Sequence, residues 1–545
     1  MKCLREYPTK ILCMLGFLAA AFLLPSPSPA GGFEYGVQGV ETVARSGANV
    51  AKVSGPEALY LNVAGIGGGD GIRILLDSNF LHVGIEANLY GNGADSWRIV
   101  GVGEMDYVSV SHSTDVYPGK MKMFAAPYLG ITFPVPKFKK LTIGLGVFGP
   151  AALGAYDFPE TLSVEHEGLH YTVPSPQRYD VIYENVLFYW PTIALSYKLT
   201  ERLTIGAGFQ WGIVNFEFTQ AINNGTVSTP TSYINDTLCS YNAWDWFVPA
   251  GVFGLKWNPI DEVEMGFSLR VSDGIEATGE VVATSNMWRR DPDDPTQPDP
   301  DNPTVYSDDP SLTWMDEEPY KRPQGGLKLA WPTTVYRFGI RYRHPNKNAP
   351  ASKGRVLYPW ESEIFDIELD FFMEQNHVVE SMELQMNGYI PYGLGAGEAV
   401  PFRPNEEHPE LAGKVKIRRN WKDTISVRLG GSVNLLKGAL TINAGAFYES
   451  PTVDDEDVRL DAMNTQRWGV SFGLQGRYFE MKTKKNTVGL EIGLSYIHFF
   501  YPDIHNENGR INHLTYLDVP GTVINNGDIN FSLDILTAGI RITVL

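Results

Sequence analysis

Along most of this chain, apolar and polar residues alternate one by one. In "FDIELDFF", Phe365, Ile367, Leu369 and Phe371 stand against Asp366, Glu368 and Asp370. In "VYRFGIRYR", Tyr336, Phe338, Ile340 and Tyr342 oppose Arg337, Arg341 and Arg343. In "TISVRLGGSVNL", Ile425, Val427, Leu429 and Val433 oppose Ser426, Arg428, Ser432 and Asn434. A period of two marks a β-strand with unlike faces; here one face is aliphatic and aromatic, and the other carries full charges. The pattern predicts about fourteen strands, near 80–90, 120–134, 140–157, 184–199, 202–219, 245–258, 262–284, 326–344, 360–388, 414–436, 439–450, 467–480, 486–500 and 530–545.

Two architectures satisfy this pattern. A sandwich turns its apolar face inward, whereas a transmembrane barrel turns it to lipid and its charges to the lumen. The connections decide for the barrel. Short turns such as "TER" (200–202), "NPID" (258–261) and "KG" (437–438) alternate with connections of roughly 17 to 40 residues, the arrangement of bacterial barrels. Aromatics gather at segment ends (Phe188, Tyr189, Trp190; Trp244, Trp246, Phe247; Tyr496, Phe499, Phe500, Tyr501), as at a membrane interface. The expected fold is all-β: an antiparallel transmembrane β-barrel of about 14 strands, its lumen plugged by an N-terminal hatch.

Residues 1–30 read as a secretory signal: Lys2, Arg5 and Lys10, then the apolar "ILCMLGFLAAAFLL", then Ser28 and Ala30 before a cleavage point. Beyond it Cys239 is the one remaining cysteine, so no internal disulfide is expected. The net charge of −19 argues against a nucleic-acid partner. Residues 31–79 do not alternate and precede every strand; 80–545 is read as the barrel. "VARSGANVAKVSGPEALYLNVAGIGGGDG" within 31–79 fits either a compact plug or a flexible tail, and its low charge favours the plug.

The strand "KLTIGLGVFGPAALG" (140–154) is interrupted by Gly149-Pro150. Proline has no N–H to give a neighbouring strand, so this site either opens the wall or lies on its outer rim. Catalytic patterns are missing: "GIGGGDG" (65–71) lacks the Lys-Ser/Thr of a phosphate loop, and the ten histidines have no ligand spacing. No catalytic residue, cofactor or metal site is assigned. The acidic, proline-rich 289–319 fits a calcium-binding loop or a solvated surface loop, with the latter favoured.

Two stretches carry a family resemblance. Ala44, Arg45, Gly47, Ala48 and Ala51, then Ala58, Leu59, Tyr60, Asn62, Val63, Ala64, Gly65 and Ile66, resemble a pattern "A-R-x-G-A-x-x-A … A-L-Y-x-N-P-A-G-L", with Val63 in place of the proline. "NWKDTISVRLGGSVNLLKGALTINAGAFYESPTVDD" (420–455) resembles the "W-x-D-T … R-L-G … P" hairpin through Arg428, Gly430 and Pro451. Both are similar to the outer-membrane long-chain fatty acid and aromatic hydrocarbon transporters (FadL/TodX-like). That resemblance implies a lumenal hatch and uptake of hydrophobic molecules, with lateral release near Gly149 and Pro150. Phe33, Leu59, Tyr60, Asn62, Val63 and Ala64 become candidate ligand-binding or hatch residues. The implied surroundings are outer-membrane lipid and lipopolysaccharide, with the long loops outside and both termini periplasmic, and the chain is expected to act as a monomer. An aqueous porin and a surface adhesin or receptor stay open as other functions, as does an outer-membrane protease or lipid hydrolase.

Overall fold

A strand exposed to hydrocarbon must pair its N–H and C=O groups with neighbours, and a free sheet edge is not tolerated there. The computed structural model of this chain meets that demand by closure: fourteen antiparallel strands form one barrel. They are β1 (Ile72–Leu89), β2 (Phe124–Val135), β3 (Phe138–Phe148), β4 (Tyr183–Lys198), β5 (Leu203–Asn223), β6 (Asp236–Ile260) and β7 (Val263–Ser272). The circuit continues through β8 (Thr334–Pro345), β9 (Glu363–Glu374), β10 (Thr424–Leu435), β11 (Leu440–Glu449), β12 (Arg467–Lys482), β13 (Thr487–Phe500) and β14 (Gly527–Val544). Each strand pairs with the next, and β1 closes on β14 from Ile72↔Val544 to Leu89↔Gly527. Toward the long-loop end the wall is extended by Val108–Ser113, Ile275–Ser285, Gln324–Leu329, Ser381–Asn387 and Lys414–Arg418. The structure describes residues 34–67 and 71–89 and most of the chain beyond; 1–33, 68–70, 90–107, 150–154, 224–235, almost all of 289–323, 330–333, 350–358, 392–398, 402–413, 483–486, 507–526 and a few shorter stretches lie outside that description.

Burial follows the alternation. Outward residues such as Ile74, Leu76, Ile193, Leu195, Phe253, Leu494 and Ile540 are exposed, while Asp366, Glu368, Asp370, Arg341 and Arg428 are buried inside. Along β14 the outward column runs Ile542, Ile540, Ala538, Leu536 and then Asp534, which marks the edge of the hydrocarbon belt toward the long loops.

Four features depart from the sequence reading. The wall starts at Ile72, not near 80, because Leu75 turns inward beside outward Leu76 and hides the alternation. Val108–Ser113 is wall, paired with the end of β1, although it lies in a stretch read as loop. Phe188, Trp190 and Phe499 point into the barrel, so only part of the aromatic set (Tyr189, Trp244, Trp246, Phe247, Tyr496) faces outward. Finally, the lumenal face is not charged throughout. Toward the long loops it turns apolar, with Leu81, Val83, Phe148, Phe216, Ile497 and Leu533 all buried.

Residues 34–67 fold inside the barrel as short helical turns: α1 (Val40–Ala44), Gly55–Glu57, α2 (Ala58–Leu61) and Val63–Gly67. The wall makes room by giving up side chains. On β5, β7, β10, β11, β12 and β13, inward Gly206, Gly266, Gly430, Gly445, Gly473 and Gly493 touch hatch atoms so closely that an added Cβ would fall within 3.0 Å of them. A belt of glycines therefore fits this insert to this barrel. Gly445→Val should drive a side chain into the backbone of Arg45 and Ser46 and cost about 1–3 kcal/mol of stability by overpacking. Gly476→Val, where a Cβ meets nothing within 4 Å, should leave the urea midpoint of the detergent-solubilised barrel unchanged.

Candidate functional site

Turns and the starts of short helices leave N–H groups without partners of their own, and in this hatch wall carboxylates supply the acceptors. Asp370 accepts from the N–H groups of Asn49 and Val50 at 2.8 and 2.9 Å, and Glu368 from that of Ala51 at 2.6 Å. Asp77 accepts from the N–H of Val40 at 3.1 Å. Side chains complete the joint. Arg45 pairs with Asp366 at 2.7 Å and Glu368 at 3.0 Å, Lys52 with Asp366 at 2.9 Å, and Arg541 of β14 with Glu57 at 2.9 Å. Asp366, Glu368 and Asp370 thus support the hatch. Of the arginines on the neighbouring strand β8, Arg341 pairs with Asp366 and also engages Glu264 and Glu363. Arg337 does not reach these acids: it lies nearer the long-loop end, and its ladder partner on β9 is Phe372.

Above this ionic layer lies a band of four buried guanidiniums stacked on aromatic rings. Arg270 lies 5.6 Å from Trp190, Arg428 4.6 Å from Phe372, Arg467 4.9 Å from Tyr35, and Arg337 5.3 Å from Tyr60 and 5.5 Å from Phe372. Three of them have carboxylate partners: Arg270 has Glu34 at 2.8 Å, Arg428 has Glu449 at 2.6 Å, and Arg467 has Glu449 as well. Arg337, only 2% exposed, makes no hydrogen bond or ion pair among the described residues. Glu34 and Glu374 act on its charge through space without bonding it. A buried charge without hydrogen bonds is costly, so this guanidinium can accept an anion.

The hatch candidates fall into two groups. Leu59 packs against Gly144 and Gly146, Val63 and Ala64 against Gly206, and the Asn62 side chain donates to the carbonyls of Val50 and Leu255 at 2.9 and 3.2 Å. These four join hatch to wall. Tyr60 alone reaches the arginine band, donating to Glu34 at 3.2 Å, and its ring meets Phe148 edge-on with centroids 5.6 Å apart. Phe33 and Pro150 lie outside the described residues. Sequence reading missed Arg337, Arg270 and Arg467 as a set; their inward positions on alternating strands were the one available signal.

Phe148 is also where the wall changes. The β2–β3 ladder ends at Tyr128↔Phe148, with the N–H of Gly149 still donating to the Pro127 carbonyl at 3.1 Å. Against β4, pairing stops at Phe148↔Trp190 and resumes with Ala155–Asp157 opposite Asn185–Tyr183. The two paired stretches differ in register by two residues. On the outer face of the barrel beside this interruption is a groove of about 690 Å³, lined by Leu76, Leu129, Leu145, Val147, Ile193 and Trp211 among others.

This barrel is similar in fold to solved structures. A FadL homologue from Pseudomonas aeruginosa superposes with a TM-score of 0.62 at 13% identity, over 94% of this chain and 99% of that one. The chain has the FadL-type barrel fold. The toluene transporter TodX of P. putida matches with a TM-score of 0.53 at 13% identity, covering 93% of this chain and 98% of that one. The monoaromatic hydrocarbon channel CymD matches with a TM-score of 0.53 at 11% identity, covering 94% and 98%. No family model and no curated protein matches the sequence. Removing one partner of a buried ion pair costs about 3–5 kcal/mol. Asp366→Asn, which strips a partner from Arg45, Lys52 and Arg341 together, should accordingly expose the hatch to limited proteolysis while the barrel stays intact.

Proposed function

We propose that this chain takes up hydrophobic molecules bearing one anionic head group, long-chain fatty acids being the type, across a bacterial outer membrane. The long loops face outward and both termini lie in the periplasm. The observation that carries the reading is Arg337, the member of the arginine band with no carboxylate of its own, at the floor of an apolar lumen. A carboxylate head would fill its empty donors, and the alkyl chain would lie along Phe372, Phe447, Ile497 and Leu533 above, each CH₂ gaining roughly 0.8 kcal/mol over water. The head-group contact is charge-assisted and so stronger than a neutral hydrogen bond.

Release is lateral. The axial route toward the periplasm is occupied by the hatch and its ionic joint, and an alkyl chain leaving that way would lose its apolar surroundings. From Arg337 the path runs past Tyr60 and Phe148, which are in ring contact, to the opening proposed at Gly149 and Pro150, just beyond the Phe148↔Trp190 pair where the register then changes, and onto the outer groove. The chemistry is transport without bond making or breaking. Lipid and lipopolysaccharide are the surrounding partners, and one barrel holds the whole path.

A neutral aromatic hydrocarbon is the second reading, favoured by the rings around the floor and by the toluene transporter and monoaromatic hydrocarbon channel that share the fold. Arg337→Met separates the two. It should weaken binding of a long-chain fatty acid at least tenfold in a detergent-phase assay and leave toluene binding unchanged; equal fatty-acid binding by both proteins would remove Arg337 from the path. Gly149→Val with Pro150→Val should slow uptake of the bound molecule without loss of the heat-resistant folded form. A single-channel conductance of porin size would contradict both readings.

A further inference from the structure

The β11–β12 connection does not stay above its own strands. Residues 450–465 are tied at their root, where the N–H of Lys422 donates to Thr452 at 2.7 Å and that of Thr452 to Asn464 at 2.9 Å. The far end of this segment, Arg459 and Leu460, meets the entry to β4. Arg459 pairs with Asp180 at 3.2 Å and donates to the Tyr179 carbonyl at 3.1 Å, and the N–H of Leu460 donates to Asp180 at 3.5 Å. In a closed circuit of fourteen strands, β4 and the β11–β12 pair stand half a circumference apart. A contact between them crosses the mouth of the lumen.

The crossing segment is built as a cover. Val453, Val458, Leu460, Ala462 and Met463 are buried and belong to the same apolar cluster as Val181 and Phe158 across the mouth. A second tie holds its flank: Arg419, which follows Lys414–Arg418, pairs with Asp461 at 2.7 Å. Both Asp180 and Arg459 are buried; Arg459 also has Asp461 of its own segment at 3.5 Å, whereas the ion pair across to the strap is Asp180's compensation for its missing hydration.

We infer that residues 450–465 form a strap across the outer mouth, latched to the β4 rim by Arg459 and Asp180, and that this latch must open to admit a hydrophobic ligand. The closed state is set by the pair, and the ligand enters when the strap swings from β4 while its root at Thr452 stays tied. Entry and release are thereby separate events, one at the mouth and one at the wall.

The strap can be tested without any transport assay. In a Cys239→Ser background, Ser426→Cys places a thiol on the inward face of β10, where Ser426 is buried. Its rate of reaction with a small aqueous methanethiosulfonate reads access from the mouth. Asp180→Asn and Arg459→Gln should each speed labelling about tenfold, as loss of one partner of a buried pair unbalances the closed state. Asp454→Asn, on an exposed contact of the same segment, should label at the parent rate. Equal rates in all four proteins, each shown to be folded by its heat-modifiable mobility, would overturn the latch. Uptake of oleate gives the second readout. A reducible bridge formed by Asp180→Cys with Arg459→Cys should block uptake until reductant is added, and uptake that ignores the bridge counts against the latch. The inference rests on the uptake reading only in this arm, where unbridged protein that takes up no oleate would instead refute that reading.

Discussion

Three wall carboxylates, Asp366, Glu368 and Asp370, hold the interior of this protein together. They lie on one strand, at alternate positions, and face a segment more than three hundred residues away in sequence. Deep inside a barrel they have little water to solvate them, and the hatch cations and N–H groups they meet are equally deprived. Each side is costly alone and satisfied together. Because several donors converge on each acid, the hatch cannot shift by an ångström without orphaning a buried charge.

That constraint divides the lumen. Below, where charges must be matched, the wall carries acids, arginines and small residues, and its glycine belt lets the hatch backbone come close. Above, none of the described hatch residues is there to satisfy charged groups, and the inward faces turn to Phe, Ile, Leu and Val. The arginine band marks the boundary. Three of its guanidiniums belong to the lower zone through Glu34 and Glu449, and Arg337 stands with its donors free beneath the apolar one. The register change after Phe148 sits at the same boundary, so Arg337 and the irregular wall share one structural level.

Much of the wall was legible because a period of two is a local signal. The outward faces of β8, β9 and β10 follow directly from Tyr336 to Phe338, Phe365 to Phe371 and Ile425 to Val433. The acids of β9 could be read as lumenal from the same alternation. Legibility fails where both faces are apolar or where a partner is distant. Leu75 beside Leu76 concealed eight residues of β1, and "VLFYW" gave no hint that Phe188 and Trp190 turn inward. In the hatch, short turns have no period, so the motif located Leu59, Tyr60 and Asn62 without telling which one reaches the lumen. The isolation of Arg337 is further still from sequence. It depends on which carboxylates its neighbours have already claimed.

The ladder between β1 and β14 also ties the plug to the closure of the ring. β1 follows the hatch in the chain and finds its second neighbour only in the last strand. Glycines of β13 and β14 lie against Val40, whereas those of β3 and β5 lie against Leu59 and Val63. The insert is therefore gripped from both flanks of the seam only in the closed ring, so sealing the wall and seating the plug reinforce one another.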